Sequence, residues 1–264
     1  IATEALLSAE TRPRTLNRGD NLLLALRGIN LNPGDEPEDM VSLRIWTDGH
    51  RLISSRRRSL RSTEVILEDL RDGSGPCCAA DLIVAYAQQI TLHMQGTLDR
   101  LEDQLLGLED RVLGEHDDLL RPGLVDLRRR IIAIRRYLAP QREALNRLAG
   151  EGLSWLDELN RLRLREASDR LIRHIEDMDE MRDRAILAQE ELANMVAEQM
   201  NERSYLFTVA AVVFLPLGFL TGLLGINVGG MPGVDSDAAF WIVVALCLLT
   251  GTVLALLLRL RRWL

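Results

Sequence analysis

The sequence predicts an α+β protein: a small N-terminal α/β part, a very long helix and a C-terminal hairpin of two membrane-spanning helices. Three observations carry this. Short strand-like runs alternate with turns over the first 56 residues. No Gly or Pro interrupts residues 154–215. Two apolar runs of 21 residues each, 205–225 and 238–258, close the chain.

The strands come first. Residues 21–29 (NLLLALRGI), 41–46 (VSLRIW) and 51–56 (RLISSR) read as strands. The turn-like LNPGDEPED and TDGH lie between them, so the sheet is expected to be antiparallel. After Gly75-Pro76 the pattern becomes helical, with Leu98, Leu101, Leu105, Leu108 and Val112 forming a stripe within 79–113. A helix over 117–138 is expected to break at Pro140, with a shorter one to Leu148. Ser154, with Asp157 three residues on, is the expected N-cap of the long helix, placing its first turn at Trp155. From there to Gly225 is 71 residues, about 105 Å of helix. These boundaries divide the chain into 1–150, a stalk over 151–203, and a hairpin over 204–264 with a loop at 225–237. The chain opens IATEALL, as if part-way into a domain, so a preceding segment is expected.

Charge is segregated. The net charge is −7 and all 32 basic residues are arginine. Within residues 204–258 only Asp235 and Asp237 carry charge, and both lie in the loop. A run of about 20 apolar residues crosses a hydrocarbon core of roughly 30 Å. Arg203 precedes the first span and Arg259, Arg261 and Arg262 follow the second, so both ends of the hairpin belong in the cytoplasm and the loop outside. Trp241 and Trp263 fall at the two edges of the second span, where interfacial aromatics sit.

The first span carries a stripe of small and mildly polar residues. Ser204, Ala211, Gly218 and Gly225 recur every seven, with Thr208, Leu215 and Gly222 between them. Two readings stand: close helix packing through the Gly218-Gly222 GxxxG, or the lining of a pore built from copies of one helix. Traced backwards the stripe meets Asn201, Asn194, Glu190, Asp183, Glu180 and Glu176, where a packed seam would show Leu or Ile. This favours the pore. Residues 154–204 hold 13 acids against 8 arginines, so a ring of copies would concentrate cations. A solvated face is the plainer reading of any one acid. Leu171, Ile175, Met178, Ala185, Leu192 and Val196 supply the packing face.

Catalytic classes lack support. There is no phosphate-binding glycine loop, CxxC or HxxxH, and Cys77, Cys78 and Cys247 form no disulfide framework. His50, His93, His116 and His174 are scattered, and the last three are expected to be surface histidines. A competing non-transport reading is a membrane-anchored coiled-coil receptor, which a loop of about 12 residues between the spans serves badly.

The hairpin, its GxN triplet Gly225-Ile226-Asn227, the following Met231-Pro232 and the basic ending RLRRWL resemble the CorA-type metal transporters. Ile226 stands where the family signature has Met. With ETRPR (10–14), MVSLRIW (40–46) and RLISSRRR (51–58), the chain is similar to the ZntB zinc-transporter branch. The resemblance implies a homopentamer with a cytoplasmic funnel domain in the bacterial inner membrane, importing zinc, with proton coupling. No cofactor is expected, zinc being the transported ion. It implies that Asn227 faces the outer mouth, that Asn201 lies at the cytoplasmic end, and that Ser204, Thr208, Ala211, Leu215, Gly218 and Gly222 line the pore. Asp235 and Asp237 would draw cations to the entrance. A helix C-cap is the structural alternative for Asn227. The other Gly-Ile-Asn, at 28–30, is expected to be a strand-end turn.

Overall fold

The structure is a computed structural model and describes residues 2–7, 12–114, 119–225 and 238–260. It comprises two compact units, 1–192 and 193–264.

In the first unit, after a short helix α1 (Ala2–Leu7), four strands form one antiparallel meander: β1 (Arg14–Arg18), β2 (Asn21–Gly28), β3 (Val41–Thr47) and β4 (Leu52–Ser55), in that spatial order. Period-two burial sets the faces. Leu22, Leu24 and Leu26 of β2 and Leu43 and Ile45 of β3 are buried and point to one side. Gly28 closes that side, because a Cβ there would lie 2.6 Å from Leu60 and 3.6 Å from Ile90. Helices follow: α2 (Arg61–Arg71), α3 (Ala79–Gly114), α4 (Leu120–Gly150) and α5 (Glu158–Leu224), the last running into the second unit.

Four sequence expectations need correction. First, β1 was not anticipated; only Thr15 of RTLNR is buried, so it carries no apolar alternation, and tertiary contact with α4 defines it, Thr15 Oγ1 donating to the Ala144 carbonyl at 2.6 Å. Second, α2 was also missed, its buried face being Ser62, Thr63 and Ile66. Third, α4 runs unbroken through Pro140. Leu138, Gln141, Ala144, Leu145 and Leu148 are all buried beyond or beside it, and that packing outweighs one missing backbone hydrogen bond.

Fourth, α5 starts at Glu158 and its cap is Asp157, whose carboxylate accepts the Asn160 N–H at 2.8 Å. Ser154 turns back to the β1–β2 hairpin, its N–H and hydroxyl both donating to the Asp20 carboxylate at 2.9 Å. Those two bonds hold Asp20 below the usual carboxylate range.

Helix α5 is fastened within the first unit by apolar packing and two forked ion pairs. Leu164, Leu171, Met178, Ala185 and Ala188 are buried. Arg135 of α4 grips Asp179 with N–O distances of 2.6 and 2.7 Å. Arg184 grips Glu109 of α3, Nε to Oε1 at 3.1 Å.

In the second unit, α6 (Ala239–Leu260) joins the apolar end of α5. Both are long and apolar enough to cross a membrane. Pro216 lies inside α5 without ending it.

Candidate functional site: an exposed stripe on the first apolar span

In the second unit α5 has two unlike faces. Tyr205, Val209, Val213, Pro216, Leu217 and Leu220 are half-buried. Leu217 comes within 4.0 Å of the position a Cβ would take on Gly251 of α6, so this is the face that meets the second span. At 100° per residue, the stripe Ser204, Thr208, Ala211, Leu215, Gly218 and Gly222 lies on the far side of the helix, and all six are exposed, as is Asn201.

The glycines discriminate between the two readings of the stripe inside one protomer. A Cβ on Gly218 or on Gly222 would meet nothing within 4 Å. The GxxxG is therefore not the seam between α5 and α6; the close approach there uses Gly251 instead. Thr208 satisfies its hydroxyl by donating to the Ser204 carbonyl at 2.9 Å, one turn back. The stripe thus offers small side chains, backbone and, at Thr208, an intrahelically bonded hydroxyl. Leu215 is the exception, a large apolar side chain 74% exposed among them.

Gly225 ends the helix, its N–H donating to the Thr221 carbonyl at 2.9 Å. Ile226, Asn227, Asp235 and Asp237 lie outside the described residues. The second Gly-Ile-Asn shows what the triplet does away from a membrane. Gly28 ends β2, and the buried Asn30 folds the next turn, its amide donating to Asp35 at 3.0 Å and its oxygen accepting from the Asn32 N–H at 3.1 Å.

In the first unit Glu176, Glu180, Asp183 and Glu190 are all exposed on α5. They are not equivalent. Asp183 is paired with Arg182 at 2.8 Å, which the sequence stripe did not reveal because the partner is the adjacent residue. Among the described residues no group of three or more His, Cys, Asp or Glu is placed to hold a metal ion. Any cation meeting these surfaces meets isolated carboxylates and amides, which suit a hydrated ion more than a stripped one.

His50 is exposed, while His116 lies outside the described residues. His93 Nδ1 sits 3.1 Å from the Ser62 hydroxyl. His174 is buried, contrary to expectation, because it falls on the packed face of α5 three residues after Leu171. Burial holds its imidazole below the usual value; Asp177 and a hydrogen bond to the Thr91 backbone oppose that, Arg173 reinforces it, and Asp99 opposes it.

Comparison with known proteins fixes the family. A model of the CorA-like Mg2+ transporter proteins matches residues 1–262. The chain is 42% identical over 259 residues to the divalent cation transporter CmaX of Pseudomonas aeruginosa, covering 96% of this chain and 76% of that protein. It is 38% identical over 237 residues to the zinc transport protein ZntB of Pectobacterium carotovorum, covering 90% and 72%. Among solved structures, full-length CmaX superposes with a TM-score of 0.85 at 40% identity, over 99% of this chain and 81% of that one. The complete CorA magnesium transporter of Methanocaldococcus jannaschii shares the fold, with a TM-score of 0.87 at 18% identity over 99% and 83%. The chain belongs to the CorA-like Mg2+ transporter family, and is a divalent cation transporter of that membrane-protein family.

Proposed function

We propose that this chain assembles as a homopentamer in a bacterial inner membrane, with both ends of the hairpin in the cytoplasm, and carries Zn2+ inward along an axis enclosed by five copies of α5. The observation that carries the reading is the exposed stripe from Asn201 to Gly222, set opposite the face that meets α6. Small residues facing a common axis leave room for an ion with its water. The similarity to zinc transport proteins named ZntB supports zinc as cargo. Asn227 would present an amide oxygen to the incoming ion, with Asp235 and Asp237 raising the local cation concentration. Glu176, Glu180 and Glu190 would do the same on the cytoplasmic side, and Leu215 would form an apolar constriction.

A second reading has its own support. Residues 205–225 contain no carboxylate, histidine or cysteine, so this span offers neither a proton carrier nor a soft ligand for zinc. That favours a channel for magnesium, the ion in the family description.

Flux into liposomes distinguishes the two. With the membrane potential clamped, the zinc reading predicts Zn2+ uptake that exceeds Mg2+ uptake and rises with an imposed inward proton gradient. Mg2+ flux at least equal to Zn2+ flux, driven by potential and indifferent to the proton gradient, would establish the channel.

A further inference from the structure

The sheet face turned away from the Leu24-Leu43 core carries an arginine cluster that the transport reading does not use. In the β2–β3 register Ala25 faces Arg44 and Arg27 faces Ser42, so Arg27 and Arg44 are diagonal neighbours on one face. Arg57, which follows β4, and Arg136 of α4 join them around a cavity of about 440 Å³, with Arg58 at its edge. Two carboxylates, Glu38 and Asp39, also line it. Glu38 is turned to Arg130 at 3.6 Å, and Arg58 is 3.5 Å from Asp35. Among the described residues, five guanidinium groups and two carboxylates line it, in a chain whose net charge is −7.

Arg44 is 3% exposed. Burial, then Arg57, then Arg27 push its pKa down, which is the signature of a desolvated cation facing like charges. The forks are also held in place. The Tyr137 ring has the Arg27 guanidinium 4.3 Å from its centroid and that of Arg136 4.7 Å away. Arg27 further donates to the Met40 carbonyl at 2.9 Å.

We propose that this cavity binds a soluble phosphate-bearing anion of pyrophosphate or nucleotide size, held by Arg27, Arg44, Arg57 and Arg136. Guanidinium forks match phosphate oxygens in pairs, and a space of a few hundred Å³ suits a small metabolite better than a monatomic ion. Positioning by Tyr137 lowers the ordering cost of the site.

Calorimetric titration of the purified full-length protein with pyrophosphate and with ADP, in metal-free buffer of constant ionic strength, tests this. Arg57 and Arg136 are exposed, so Arg57→Gln and Arg136→Gln should leave the fold intact, which an unchanged gel-filtration profile verifies. The expected result is saturable binding by the native protein, weakened about tenfold in each variant and unchanged in Arg56→Gln. Absence of saturable binding, or native affinity retained in both Arg57→Gln and Arg136→Gln, would overturn the proposal. Loss of pyrophosphate binding in phosphatidylglycerol nanodiscs but not in phosphatidylcholine ones would assign the cavity to a lipid headgroup and overturn the soluble ligand.

Discussion

Gly49 shows how a single residue joins distant parts of the first unit. Its φ is +88°, in the region that side chains rarely enter, and a Cβ there would lie 2.4 Å from the Trp155 indole. Trp155 in turn donates its Nε1–H to the Asp20 carbonyl at 2.8 Å. Gly49→Ala should therefore destabilise the protein by about 1–3 kcal/mol, read as a lower thermal midpoint of the full-length protein in detergent. An unchanged midpoint would mean the indole has another place to go. His174 makes a second prediction, with a definite sign. Its folded pKa lies below the unfolded value, so the unfolded chain takes up the proton first as pH falls. The stability it contributes is complete above the ordinary imidazole value near 6.5 and is lost as pH drops below it. Unfolding midpoints at pH 7.5 and 5.5 should fall further for the native protein than for His174→Gln; equal falls would refute the assignment.

At the scale of elements, the α4–α5 connection hangs on Arg161. Its guanidinium donates to the carbonyls of Ala149 and Leu153 at 3.2 Å, to that of Leu156 at 3.2 Å, and to that of Glu151. It thereby caps the end of α4 and fixes the loop that launches α5. Arg161→Ala should cost about 2–4 kcal/mol. Arg161→Lys should recover only part of it, since one ammonium with three donors cannot span four carbonyls; full recovery in a denaturant or thermal titration would contradict this. Nothing in the local pattern announces that arginine, because its partners are backbone atoms brought together by the turn. Contacts between distant segments likewise define β1, whose one buried residue is Thr15, α2, whose buried face is Ser62, Thr63 and Ile66, and the unbroken passage of α4 through Pro140. Long apolar-periodic elements were legible: α3 (Ala79–Gly114) carries its stripe, and β2 and β3 match their hydrophobic runs. The start of α5 was misread by three residues because Ser154 and Asp157 are both good caps, and Ser154 is claimed by Asp20.

For the whole molecule, the account depends on one face of α5 being turned toward an ion path. The stripe was visible in the sequence through its seven-residue spacing. Whether it packs on the second span was not, and the open space at Gly218 and Gly222 excludes that packing within a protomer. The most direct measurement is cysteine accessibility along α5, in full-length protein whose Cys77, Cys78 and Cys247 have been replaced by Ser. Single cysteines are placed at Thr208 and Ala211 on the stripe, and at Val209 and Val213 on the face toward α6. Metal flux into liposomes is then followed before and after a charged, membrane-impermeant methanethiosulfonate reagent. The account predicts that flux is blocked in Thr208→Cys and Ala211→Cys and retained in Val209→Cys and Val213→Cys. Block confined to positions 209 and 213, or equal at all four, would contradict it.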